Sequence, residues 1–229
     1  MADIWIIRPP PAHLDEHLRR AAAVVLAADE RARARALSDA AARVWFAAAH
    51  LALRAVLADF RPELARGEAL ARSPHGKPYL PGGPEMSFSA TAGLALIAVS
   101  RAGPVGVDVE RVRDIAFADA ALARSPALSA LVEEKSRVGQ SRTLAFLDAW
   151  TALEATLKYH GLPLAPALDG LGDGVPTLPA PSLGPARETP PRLSRPDVGH
   201  GFVAACAHAG RATPARREFD WPNWAARAA

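Results

Sequence analysis

The stretch Pro104–Glu110, P-V-G-V-D-V-E, constrains this chain more than any other. Val105, Val107 and Val109 alternate with Gly106, Asp108 and Glu110. Strand side chains point to opposite faces in turn, so the valines share one face and the two acids the other. The Cα atoms of Asp108 and Glu110 are then about 7 Å apart. Burying the valines fixes where the carboxylates go, and two carboxylates that close repel unless positive charge lies between them. A hard cation such as Mg²⁺, with oxygen ligands and positions left for water, meets that need. An edge strand carrying two solvated acids is the alternative, and the strand alone does not choose.

A second stretch adds to the first. Leu147–His160, L-D-A-W-T-A-L-E-A-T-L-K-Y-H, is rich in strong helix formers. Trp150, Glu154 and Lys158 follow at i, i+4 and i+8 and line one side of that helix. They read either as a surface Glu–Lys pair or as a third carboxylate for a metal, with a lysine one turn on that can meet phosphate.

The rest of the chain sets the frame. With 229 residues, half of them hydrophobic and 22% charged, it can bury a sizeable core as one large domain or two small ones. The net charge of +3 suits a phosphorylated ligand. The basic residues are dispersed, with no stripe of interleaved aromatics, which argues against nucleic acid. One cysteine, Cys206 in F-V-A-A-C-A, excludes an intrachain disulfide and reads as a small buried residue. The start, M-A-D-I-W-I-I, lacks the features of a secretory signal, and no charge-free run of about twenty apolar residues appears. Cytoplasm and no membrane association are the expectation.

In chain order, Asp3–Arg8 reads as a strand ended by Pro9-Pro10-Pro11. Residues 14–60 predict two or three helices, with a break at Leu37-Ser38-Asp39 where Ser38 or Asp39 caps the next helix. In that helix Arg54 falls outside the apolar stripe and reads as solvent-facing. His75-Gly76-Lys77-Pro78 is a turn offering a point charge suited to phosphate. Leu94–Val99 is a continuous apolar run, a buried strand expected to form a hairpin with the central strand. Breaks at Ser125-Pro126 and at 138–141 divide residues 111–145 into helices. Leu162–Asp197 is dense in Pro, Gly and Ala, with a short strand expected at Gly174–Leu178. Gly201–Ala207 reads as a returning strand, and the tail with Trp221 and Trp224 as weakly packed.

Taken together in order, four segments resemble a known signature: His75–Pro81 (H-G-K-P-Y-L-P), Phe88–Thr91 (F-S-A-T), Gly106–Glu110 (G-V-D-V-E) and Trp150–Lys158 (W-T-A-L-E-A-T-L-K). It is that of the 4′-phosphopantetheinyl transferases of the surfactin-synthetase-activating type, and it spans residues 40–165. The resemblance implies an α+β fold of two similar α/β halves in pseudo-twofold symmetry. Residues 1–103 would supply coenzyme phosphate contacts, and residues 104–229 the metal and catalytic groups. It implies a monomer that moves the 4′-phosphopantetheine arm of coenzyme A to a serine of an apo acyl or peptidyl carrier protein. By the same resemblance Asp108, Glu110 and Glu154 hold Mg²⁺ or Mn²⁺, and Glu154 takes the serine proton. Lys158 meets the pyrophosphate, Arg54 and Lys77 anchor the nucleotide end, and Ser89 adds a hydroxyl contact. Three positions depart from the pattern: Ala90 stands at the family's histidine, Leu153 at a lysine, and Pro163 at a glycine. Those departures motivate a second expectation, a non-catalytic relative that binds a carrier protein or scaffolds a biosynthetic complex.

Overall fold

A computed structural model describes residues 2–164 and 190–228. The strand expected at Gly174–Leu178 lies outside them. The described residues form a mixed α+β fold whose layers run helix, sheet, sheet, helix.

The first sheet is built on strand β1 (Ala2–Ile7), flanked by β5 (Leu94–Ser100) on one side and β9 (Ala215–Glu218) on the other, with β4 (Glu85–Thr91) beyond β5, while β2 (Ala71–Arg72) and β3 (Pro78–Tyr79) pair as a separate two-stranded ribbon. β1 and β4 both run antiparallel to β5, whereas β9 runs parallel to β1. Three helices follow β1: α1 (Asp15–Val25), α2 (Ala28–Ala36) and α3 (Ala40–Ala58). The break before α3 falls where expected, and Asp39 is its cap, accepting from the Ala42 amide at 2.6 Å. Leu18, Leu53 and Leu57 pack with Ile7, Ile97 and Val99 on one face of this sheet. α3 is the one described helix long and apolar enough to cross a membrane by length and composition, and half of it is buried in the fold.

The second sheet has β6 (Val105–Arg111) at one edge, β8 (Phe202–His208) in the middle and β7 (Arg192–Ser194) beyond it, all neighbours antiparallel. The alternation in β6 does what its pattern requires. Val105, Val107 and Val109 are buried against Ile4, Ile6, Leu94 and Leu96 on the inner face of the first sheet. β5 is therefore covered on both faces, which is why it reads as an unbroken apolar run. The expected β5–β6 hairpin does not form. Both edges of β5 are taken, by β4 and β1, so β6 crosses to the other sheet and meets β5 face to face.

Helices α4 (Ala118–Arg124), α5 (Pro126–Arg137) and α6 (Arg142–His160) follow β6. Ser125 and Ser141 cap α5 and α6 through their hydroxyls. α6 lies on the outer face of the second sheet, with Ala155 and Tyr159 against Ala205 and Ala207. Another helix, α7 (Trp221–Ala228), closes the first layer. The tail is not weakly packed: Trp221 is 4% exposed within the core of the first sheet, and its indole N–H donates to the Arg8 carbonyl. A boundary at residue 103 therefore separates the two sheets except at residues 215–228, which return to the first.

Candidate active site

Gly106 decides how closely α6 approaches β6. A Cβ at this position would land on the Ala155 carbonyl oxygen and the Tyr159 amide nitrogen, and 3.0 Å from the Lys158 carbonyl carbon. The missing side chain lets the helix backbone rest on the strand. That brings Glu154 and Lys158 over Asp108, two residues along β6.

Asp108 is 3% exposed, so the reading of two solvated acids on an edge strand is wrong for it. Its Oδ1 accepts from Lys158 Nζ at 2.6 Å and from Ser89 Oγ at 2.8 Å. Its Oδ2 is buried with no hydrogen-bond partner among the described residues. Lys158 Nζ lies 3.5 Å from Glu154 Oε2 as well, so one ammonium sits between two carboxylates. Glu110, half-buried, meets Arg113 at 3.7 Å.

Burial, and then the Asp108 charge, push the Glu154 carboxyl up from 4.5 to about 7. The same two causes raise Glu110. Burial works against the Lys158 charge, but Asp108 and Glu154 outweigh it and hold the ammonium above the ordinary lysine value. A raised carboxyl binds protons more tightly in the folded than in the unfolded chain, so its ionisation opposes folding. Metal-free protein should therefore lose stability as pH rises from about 4.5 to about 7, with Glu110 adding in the same direction. Urea melts across that window check this, and Glu154→Gln should flatten the slope.

Among the described residues, no three acidic, histidine or cysteine side chains stand together as a ready cage. The donor set nonetheless fits a hard divalent cation. Asp108 and Glu154 flank one ammonium, the Asp108 charge raises the proton affinity of both Glu110 and Glu154, and one buried Asp108 oxygen has no donor among the described residues.

Beside this cluster lies a cleft of about 240 Å³ lined by His75, Lys77, Ser87, Phe88, Lys158 and Leu162, among others. Lys158 thus belongs to both the acidic cluster and a basic cleft. Lys77 is here as expected, and it also ties the two layers together. Its ammonium donates to the carbonyls of Lys158 at 2.6 Å and Val105 at 3.2 Å, holding the C-terminal end of α6 where helix carbonyls favour a cation. Gly161 ends the helix in the left-handed conformation at φ 72°. A larger hollow of about 950 Å³, bordered by Trp5, His17, Trp224 and Arg227, shares no residue with the cluster or the cleft.

Two expected coenzyme contacts are placed elsewhere. Arg54 is fully buried, which also overturns its reading as a solvent-facing residue. Its Nε donates to Glu30 at 2.6 Å and its Nη1 to the Leu64 and Glu68 carbonyls. Glu30 in turn accepts from the Ala27 amide and is the one buried residue of α2. Arg54 therefore fastens α2 to α3. Arg54→Met strands the Glu30 charge and should destabilise the fold by about 3–5 kcal/mol. Adding Glu30→Met should recover much of that loss in a denaturation cycle. Ser89 is the other: it is 8% exposed, and its hydroxyl turns to Asp108 and the Val109 amide.

The departures also find places. Ala90 is exposed at the end of β4, and Leu153 joins the apolar cluster of Phe146 and Trp150. His50 is buried, stacked on Phe46 at 3.9 Å, and burial lowers its pKa. It therefore supplies no charge in place of a lost cation, whereas His75 stands on the cleft. Sequence reading missed Ser87, whose Oγ accepts from the Val107 amide at 3.0 Å. The alternation Ser87-Phe88-Ser89 was the signal, since it puts both hydroxyls on one face of β4. No protein-family model matches this chain, and no curated protein matches its sequence.

Proposed function

We propose that this protein transfers the 4′-phosphopantetheine arm of coenzyme A to a serine of an acyl or peptidyl carrier protein. The observation that carries the reading is the double membership of Lys158, in a buried carboxylate cluster and in a basic cleft with His75 and Lys77. The four ordered sequence segments converge on that same point.

In this reading the cleft takes the phosphates of coenzyme A against Lys77, His75 and Lys158. Glu154 takes the serine proton in this reading; in the metal-free protein burial and the Asp108 charge hold its carboxyl up at about 7. The serine oxygen forms a bond to the phosphorus of the pantetheine arm, the bond to the other phosphate breaks, and adenosine 3′,5′-bisphosphate leaves. Lys158 donates to the phosphoryl oxygens as charge develops. A divalent cation, Mg²⁺ or Mn²⁺, held by Asp108, Glu110 and Glu154 would neutralise pyrophosphate charge. The pseudo-twofold halves, the monomeric state and a cytoplasmic site of action belong to this same reading.

Incubation with coenzyme A, Mg²⁺ and a panel of apo carrier proteins, read by intact mass, tests it. The expected result is one added arm on a carrier. A non-catalytic carrier-binding role is favoured by one observation: Arg54, Ala90 and Leu153 place no charge in the cleft. Failure to modify any carrier, together with no heat of coenzyme A binding, would make that second reading the better one.

A further inference from the structure

The seam between β4 and β6 is made by serine hydroxyls. Ser87 Oγ accepts from the Val107 amide at 3.0 Å, and Ser89 Oγ accepts from the Val109 amide at 3.3 Å. Both serines are buried, at 3% and 8% exposure. The two bonds are alike, one pleat apart, and join the two sheets where no backbone ladder runs. They differ in one respect. With its oxygen occupied by the Val109 amide, Ser89 turns its proton to Asp108 Oδ1 at 2.8 Å. Ser87 has no bond to a carboxylate among the described contacts.

We infer that Ser89 is a positioning residue: it fixes the Asp108 carboxylate so that Oδ1 faces Ser89 and Lys158 while Oδ2 is presented for a divalent cation. The inference rests on the metal-site reading given above. Oδ1 receives two donors at 2.6 and 2.8 Å, and Oδ2, though buried, receives none among the described residues. A carboxylate turned freely about its Cβ–Cγ bond would share donors between its oxygens. Two donors from opposite layers, one on β4 and one on α6, hold it in one orientation. Hydroxyls that orient metal-binding carboxylates in this way act on affinity without touching the ion. The role differs from the coenzyme contact expected from the sequence, because the Ser89 hydroxyl has its acceptor and its donor inside the protein.

The test is Mn²⁺ affinity of the full-length protein by calorimetry, for wild type, Ser89→Ala, Ser87→Ala and Ser89→Thr, with thermal melts of each metal-free protein. Ser89→Ala should weaken Mn²⁺ by about 10- to 100-fold. Ser87→Ala removes the matching seam bond and should leave affinity within about two-fold of wild type, with a similar fall in melting temperature. Ser89→Thr keeps the hydroxyl and should restore affinity. Wild-type affinity in Ser89→Ala, or an equal loss in Ser87→Ala, would overturn the positioning role and leave the metal site standing. No Mn²⁺ binding by the wild type would overturn the metal site and the positioning role together.

Discussion

Gly106→Ala should destabilise the protein by about 3 kcal/mol or more, at or above the upper end of ordinary overpacking. The added methyl meets the backbone of Ala155, Lys158 and Tyr159 rather than the end of a flexible side chain, so no rotamer change relieves it. Either α6 lifts from β6 or the strand bends away. Both movements separate Lys158 and Glu154 from Asp108. Against a typical total stability of about 5–15 kcal/mol this is about a fifth or more, so the denaturation midpoint should fall clearly below that of wild type. Urea denaturation measures it. Gly210→Ala is the control in the same half, since a Cβ there meets nothing closer than 3.9 Å. That variant should stay within about 0.5 kcal/mol of wild type. If Gly106→Ala behaved like Gly210→Ala, the close approach of helix and strand would be wrong, and the geometry of the carboxylate cluster with it.

Glu154→Gln should slow phosphopantetheine transfer by about 10²- to 10⁴-fold, the range for loss of a positioned general base. The amide has nearly the shape of the carboxyl but cannot take a proton at neutral pH. Stability should move the other way. Ionised Glu154 is held at a cost inside the cluster, as its pKa of about 7 records. Without metal, the glutamine variant should therefore be at least as stable as wild type above pH 7. A protein that is better folded and nearly inactive separates a chemical role from a structural one. Transfer at the wild-type rate would remove Glu154 from the mechanism and move the search for a base to Glu110.

What could be read from the sequence was mostly local. The valine alternation of β6, the doubly covered β5, the Asp39 cap and the serine-marked starts of α5 and α6 all follow from short-range pattern. Asp108 and Glu154 were legible because strand and helix periods place them. Their meeting point was not, since it depends on Gly106 letting two backbones touch. Arg54 shows the other limit. Its helix position is off the apolar stripe, yet Glu30, 24 residues earlier, neutralises and buries it. A periodicity argument treats an arginine as solvated and has no way to see a partner on another helix. Lys77 and Ser89 were recognised by residue type and motif, but the bonds they make are to backbone carbonyls and a carboxylate on the opposite layer. Those bonds are set by tertiary packing. The β5–β6 hairpin failed for the same reason: adjacency in sequence favours pairing, and β4 and β1 had already taken both edges of β5.

The pairing of β1 with β9 has a consequence for how the chain is assembled during synthesis. Trp5 stands beside Arg217 in a parallel ladder, and the Asp3 carboxylate accepts from Arg217 at 2.8 Å. A ribosome releases the first of these strands long before the second exists. Until residues 215–228 emerge, one edge of the first sheet stays unpaired, and the surface that Trp221 covers stays wet. Such an edge is a template for pairing with another chain, and contacts this far apart in sequence close slowly. A nascent chain stalled before residue 215 exposes the β1 edge and that apolar surface together, and should aggregate more readily than the finished chain.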